Sequence, residues 1–158
     1  MATMKHAGKG VKNIFVRVMG TKKTSLSMRM GVLGGATNPE TGEKVASYAI
    51  ENEYGNLAEG IPSRPALRLT AQNNKDEYAK IIADRMKSGF TAEQAMHVVG
   101  QTFKADFART IQSKPWRDNS EKTKARKRAK GRAEPLYPLI DSGAYIKSID
   151  YEIDNESS

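Results

Sequence analysis

The sequence predicts an α+β domain, in which a small antiparallel sheet from an N-terminal hairpin and a C-terminal strand packs against two long helices. Two observations predict this fold. Apolar residues alternate with polar ones near both ends of the 158-residue chain, whereas the middle has apolar residues at helical spacing. At this length, and with 38% hydrophobic residues, we expect a single domain over residues 1–158.

Two strands are predicted near the N-terminus. Residues 13–18 alternate, and residues 26–32 alternate most regularly. In the second strand the inward face comprises Leu26, Met28, Met30 and Val32, and the outward face comprises Ser27 and Arg29. The intervening link, residues 20–23, is short enough for a hairpin.

Three helices are predicted next. Residues 43–54 have helical spacing, and Gly55 suits the C-terminal end of that helix. A long helix over about residues 66–87 follows two prolines and ends at Gly89. Its expected core face is Leu67, Ala71, Tyr78, Ile81, Ile82 and Met86.

A capping box, Thr91 with Gln94, opens the second long helix, which Pro115 ends. Its apolar stripe is Met96, Val99, Phe103, Phe107 and Ile111. Further on, we expect Asp141 to cap a short helical turn. Residues 149–153 then alternate as a strand that returns to the N-terminal hairpin.

The net charge of +8 is unevenly distributed. Residues 1–33 carry seven bases and no acid, and residues 114–132 carry nine bases and two acids. Residues 133–158 carry one base and six acids. Opposed patches of this kind favour head-to-tail contacts between copies, which close into rings when the rotation allows it.

Composition and motifs argue against several classes of protein. The sequence has no cysteine, which excludes a disulfide scaffold, a thiolate metal site and a cysteine nucleophile. No apolar stretch is long enough for a membrane span, and the N-terminus lacks the apolar core of a signal peptide, so we expect a soluble intracellular protein. His6 and His97 have no partner at ligand spacing. We therefore predict neither catalytic residues nor a bound metal or cofactor.

Pro62 and Pro65 restrict the backbone on either side of Ser63-Arg64. An arginine leaving such a stiff segment suits a bidentate contact with a carboxylate. The candidates are Glu51, Glu53 and Glu59, of the same chain or of a neighbouring copy. A solvated arginine ahead of an ordinary proline-started helix is the alternative.

Four segments follow one another in a distinctive order. They are Glu53-Tyr54-Gly55, then IPSRPALR at 61–68, NSEKT at 119–123 and PLIDSGAYIKSI at 138–149. The order and the residues resemble the tail-completion, or head–tail joining, family of tailed bacteriophages. The resemblance spans about residues 44–153. Ala66 and Tyr145 depart from it, since the family often has Phe and a smaller aliphatic residue there.

The resemblance implies a structural virion protein that forms a ring, hexameric by analogy, at the neck or the top of the tail. Its implied partners are its own copies, adjacent neck, tail-terminator or tail-tube proteins, and the genome DNA in the channel, with assembly in the host cytoplasm. The implied contact residues are Arg64, Pro65 and Arg68 at one subunit boundary. Asp141, Ser142 and Gly143 would hold the corner that returns the chain to the sheet.

A small basic nucleic-acid-binding protein is the alternative function, because the segment 114–132 combines Trp116 with nine cations. Its basic residues include Lys122, Lys124, Arg126, Lys127, Arg128, Lys130 and Arg132. With few apolar side chains, we expect the segment to be mobile in the free protein. We expect it to become helical on assembly, with Asn119-Ser120 capping the helix.

Overall fold

The computed structural model describes residues 3–5, 14–19, 26–113, 116–133 and 138–155, and for residues 3–5 and 14–19 it describes the backbone. The strands are β1 (Thr3–Lys5), β2 (Ile14–Met19), β3 (Leu26–Val32) and β4 (Ile149–Asn155). The helices are α1 (Val45–Tyr54), α2 (Ala66–Lys87), α3 (Ala92–Gln112), α4 (Glu121–Ala129) and α5 (Ala144–Lys147), with a short 3₁₀ helix at Leu57–Glu59. The predicted α+β class is confirmed. The link at 20–23 and Pro115 lie outside the described residues.

The sheet is antiparallel and has the order β1-β2-β3-β4. The C-terminal strand pairs along the whole of β3, from Leu26 opposite Asn155 to Val32 opposite Ile149. The prediction that the last strand returns to the N-terminal hairpin is therefore confirmed. It was wrong to treat the outward face of β3 as open, because Ser27 is fully buried.

The helical hairpin of α2 and α3 packs on this sheet, with α3 contacting β3 and β4 and α2 contacting β2. Thr91 and Gln94 form the predicted capping box. All five residues of the predicted α3 stripe are buried. On α2, Leu67, Ala71 and Tyr78 are buried, but Met86 is exposed because the last turns of the helix extend past the core.

Polar side chains fix the two long helices against each other. Tyr78 donates a hydrogen bond to Asp106 Oδ2 at 2.8 Å, and Arg109 Nη2 lies 2.6 Å from Asp106 Oδ1. Burial, together with this hydrogen bond, raises the pKa of Tyr78 well above its ordinary value, so the phenol stays a donor. Thr70 and Thr110 pair at 2.9 Å between the same helices.

Tyr151 joins the sheet to α3. Its ring lies so close to Gly100 that a Cβ there would come within 2.4 Å of ring carbon Cγ. Its hydroxyl is 3.1 Å from His97 Nδ1 and accepts a hydrogen bond from Gln101 Nε2 at 3.2 Å. His97 is thus a hydrogen-bonded surface residue, which agrees with the absence of ligand spacing in the sequence.

Candidate functional site

The start of α2 is capped by a residue of α1. Pro65 precedes the helix and has no side-chain acceptor, so the first N–H groups need one from elsewhere. Glu53 supplies it: Oε2 accepts from Leu67 N at 3.1 Å, and Oε1 accepts from Arg68 N at 2.9 Å. Burial raises the pKa of this carboxyl, and the hydrogen bonds from Arg68 and Leu67 oppose that shift.

Gly55, the third residue of the Glu-Tyr-Gly segment, occupies a position that requires glycine. It ends α1 with φ 75°, a left-handed value that favours glycine. A Cβ there would lie 2.8 Å from Ser63 N and 2.9 Å from Ile61 O. The loop from Gly55 to Pro65 therefore folds back tightly on the end of α1, and Ser63 Oγ donates to Glu53 O at 2.9 Å. The first two family-like segments form one corner.

Arg64 lies in this corner, but it does not make the expected contact within the chain. Arg68 is the residue that pairs with Glu53, with Nε 3.2 Å from Oε1. The Arg64 side chain is half-buried, and its Nε is buried without a hydrogen-bond partner among the described residues. Burial lowers the pKa of Arg64. The intrachain part of the carboxylate prediction was thus wrong, because α2 presents Arg68 to Glu53.

The basic segment forms helix α4 already in the single chain, and its start agrees with the predicted cap. Ser120 Oγ accepts from Thr123 N at 3.3 Å and lies 3.0 Å from Thr123 Oγ1. These contacts account for the Asn-Ser-x-x-Thr segment, whose Asn119 is buried. The single chain thus has α4 as a helix, and the expected ordering of the segment on assembly stays a prediction.

Two cations hold α4 on the body. Lys127 is the buried residue of the helix, and its ammonium donates to the carbonyl of Ile140. Arg132 Nε donates to Asp141 Oδ1 at 3.0 Å, and the same guanidinium pairs with Glu40. Polar anchors thus replace the apolar burial that the segment lacks. The expected mobility of the free protein stays a prediction.

The Asp-Ser-Gly corner uses its residues differently from the prediction. Gly143, with φ 78°, is the N-cap of α5, and Ser142 Oγ accepts from Ala144 N at 3.3 Å. Asp141 was wrongly assigned as the cap, because its carboxylate is taken by Arg132. As predicted, the corner does lead into the returning strand.

Tyr145 follows this corner, and no role was predicted for it from the sequence. It is 3% exposed, and its ring packs edge-on against Phe107 and Tyr48 at centroid distances of 5.1 and 6.3 Å. Its hydroxyl is buried without a hydrogen-bond partner among the described residues. The sequence did contain a signal for this role, because Tyr145 is a bulky aromatic residue where the family that the segment resembles has a smaller aliphatic one.

These segments surround one cleft of about 1100 Å³ between α4 and the rest of the domain. Parts of three of the four family-like segments line it, within 61–64, 119–123 and 139–145. The basic lining residues are Arg64, Arg117, Lys122, Lys124, Arg126, Lys127 and Lys130. The acidic ones are Glu43, Glu59, Asp118, Glu121 and Asp141. We call this the α4 cleft; its charge is mixed, with a basic excess.

Most of the predicted contact and basic residues fall into two groups, one at the start of α2 and one in the α4 cleft. Arg68 and Pro65 serve the start of α2, and the Arg68 guanidinium also lies over the Tyr54 ring at 5.0 Å. Arg64, Asp141, Ser142 and Gly143 line the α4 cleft together with five of the predicted basic residues, Lys122, Lys124, Arg126, Lys127 and Lys130. Arg128 is exposed, and Arg132 anchors the end of α4.

Over the described ranges, no three His, Asp or Glu side chains are grouped so that they could hold a metal ion. Within the same ranges, no helix is both long and apolar enough to cross a membrane. The comparisons with protein-family models, curated proteins and solved structures gave no match to this chain.

Proposed function

We propose that the protein is a structural component of a tailed-bacteriophage virion that forms a ring at the head–tail junction, completes the tail and joins it to the DNA-filled head. The observation that carries this proposal is the order of the four family-like segments. The geometry supports it, because three of them meet at the α4 cleft although up to about 80 residues separate them.

The cleft is suited to holding a partner. It offers charges and hydrogen-bond donors on a frame held by the Glu53 cap and by the Lys127 and Arg132 anchors. Exposed bases on α4 and exposed acids on β4, Asp150 and Glu152, give one copy both signs of charge. Such a pattern suits head-to-tail contacts between copies in a ring.

The expected partners are other copies of the chain, in a hexamer by family analogy, and the adjacent neck, tail-terminator or tail-tube proteins. Genome DNA would pass through the ring. The protein would act without a cofactor, in the virion, after assembly in the host cytoplasm.

Mass photometry of the purified protein, alone and mixed with tail tubes, tests the proposal. We expect discrete oligomers that survive moderate salt, and a symmetric layer at the top of the tail in electron micrographs. One copy per particle, or a layer without rotational symmetry, would overturn the proposal.

A small basic nucleic-acid-binding protein is the second candidate, favoured by the exposed cations Lys122, Arg126, Arg128 and Lys130. That function predicts a monomer or dimer whose DNA affinity falls steeply as salt is raised. A gel-shift titration at two salt concentrations, run beside the mass photometry, separates the two functions.

A further inference from the structure

The α4 cleft contains two buried hydrogen-bond donors without acceptors. Neither Arg64 Nε nor the Tyr145 hydroxyl is paired in the part of the chain that the structure describes, and both residues line the cleft. Buried donors are normally paired, because leaving one unsatisfied costs free energy. Two such donors at one cleft point to an acceptor from outside the residues that the structure describes.

The chemistry of the two donors specifies that acceptor. The Arg64 guanidinium is a cation, and burial together with the nearby Glu53 raises the pKa of Tyr145, which keeps its hydroxyl protonated. A cationic donor and a neutral hydroxyl donor that line one cleft both suit an oxygen that carries negative charge.

The acids around the cleft distinguish between two sources of such an oxygen. Glu43, Glu59 and Asp118 line the same cleft and would repel a polyanion such as the DNA backbone. A carboxylate therefore fits better than nucleic acid.

We propose that the α4 cleft is a carboxylate-binding site in which Arg64 and Tyr145 bind an acidic side chain of a second copy of the chain. The choice of a second copy rests on the proposed function. It is supported by charge complementarity, since β4 is an edge strand of the described sheet whose Asp150 and Glu152 side chains stay 62% and 51% exposed although they pair with Lys104 and Arg29 of their own chain. Arg64 thus gains the carboxylate partner that the described residues of its own chain do not supply.

The binding chemistry can be tested without any oligomer. In nitrogen-15 NMR spectra the Nε–Hε signal of Arg64 is identified by its loss in Arg64→Lys. Sodium acetate should shift this signal saturably, whereas sodium chloride at equal ionic strength should not. Tyr145→Phe keeps the ring packing and removes one donor, so it should weaken acetate binding about tenfold. An unshifted signal would overturn the site, and tighter binding of inorganic phosphate or of a DNA oligonucleotide would overturn its assignment to a carboxylate.

The source of the carboxylate is tested by mass photometry of variants. Arg64→Ala should dissociate the oligomer, whereas Lys80→Ala, which removes an exposed base of α2 outside the cleft, should leave it intact. Equal effects of the two variants would overturn the second-copy assignment. If the wild-type chain stays monomeric and acetate still shifts Arg64, the ring function fails while the carboxylate site stands.

Discussion

Glu53 and Arg68 connect the last turn of α1 to the first turn of α2. The carboxylate accepts two backbone N–H groups and Arg68 Nε, and Arg68 Nη2 donates to the Glu53 carbonyl at 2.8 Å. Glu53 is 0% exposed, so this carboxylate serves the fold. The Glu-Tyr-Gly segment thus builds the corner that orients Arg64, while the cleft residues remain available to a partner.

The first prediction concerns this cap. Glu53→Gln keeps the size of the side chain but replaces one acceptor oxygen with an amide NH₂ group that faces a backbone N–H donor. It should therefore lower the free energy of unfolding by about 1–3 kcal/mol. Urea denaturation measures the change. Glu51→Gln, on the exposed side of the same helix, is the control and should stay within about 0.5 kcal/mol of wild type. Similar losses in both variants would contradict the capping role.

The second prediction concerns Gly55. Gly55→Ala places a Cβ against the backbone of Ser63 and Ile61, which cannot move without opening the loop. Gly60→Ala is the matched control, since φ is +67° and the space around it is open. The control should cost about 1–2 kcal/mol from backbone strain alone, and Gly55→Ala should cost clearly more. Equal denaturation midpoints for Gly55→Ala and Gly60→Ala would show that the loop shifts to accommodate the Cβ, and would contradict this prediction.

The third prediction concerns the contact between α3 and β4. Gly100→Ala forces a methyl group into the Tyr151 ring and should cost about 1–3 kcal/mol. If the ring causes the clash, the same substitution should cost much less in a Tyr151→Ala background. A double-mutant cycle measures this coupling. Strictly additive effects would argue against direct contact.

The fourth prediction concerns pH and Lys127. Burial is the main influence that lowers the pKa of Lys127; Arg126, Arg64 and Arg132 add to it, and Asp141 opposes it. Between this lowered pKa and the ordinary 10.5, the unfolded chain binds more protons than the folded one. The free energy of unfolding should therefore gain a rising contribution from Lys127 as pH increases through that window.

Denaturation at a series of alkaline pH values measures the Lys127 contribution as the difference between wild type and Lys127→Met. That variant should lose the rise, whereas Lys122→Met, at an exposed position of the same helix, should keep it. The same slope in wild type and Lys127→Met would refute the prediction.

The fifth prediction concerns the mobility of the basic segment. Brief trypsin treatment of the free protein should cut first within residues 117–132, because polar anchors rather than an apolar core hold α4. Asp141→Asn weakens the Arg132 anchor and should speed this cleavage, while assembly should slow it. Equal trypsin resistance of free and assembled protein would refute the expected mobility.

Local patterns predicted most of the secondary structure. The Thr91–Gln94 capping box, the α3 stripe and the alternation of β3 each depend on residues within a few positions of one another. The partner of Glu53 could not be predicted in this way. Arg64 and Arg68 are four residues apart, and the packing of α1 against α2 decides which guanidinium reaches the carboxylate.

The sequence by itself determined the α+β class and the order of the elements, because periodicity and caps act over short distances. The tertiary structure alone decided that Arg64, Ser120 and Tyr145 share one cleft, and that Lys127 is the buried base of α4. Those outcomes depend on contacts between residues far apart in the chain. Which polar groups lose their water is decided only when the elements pack.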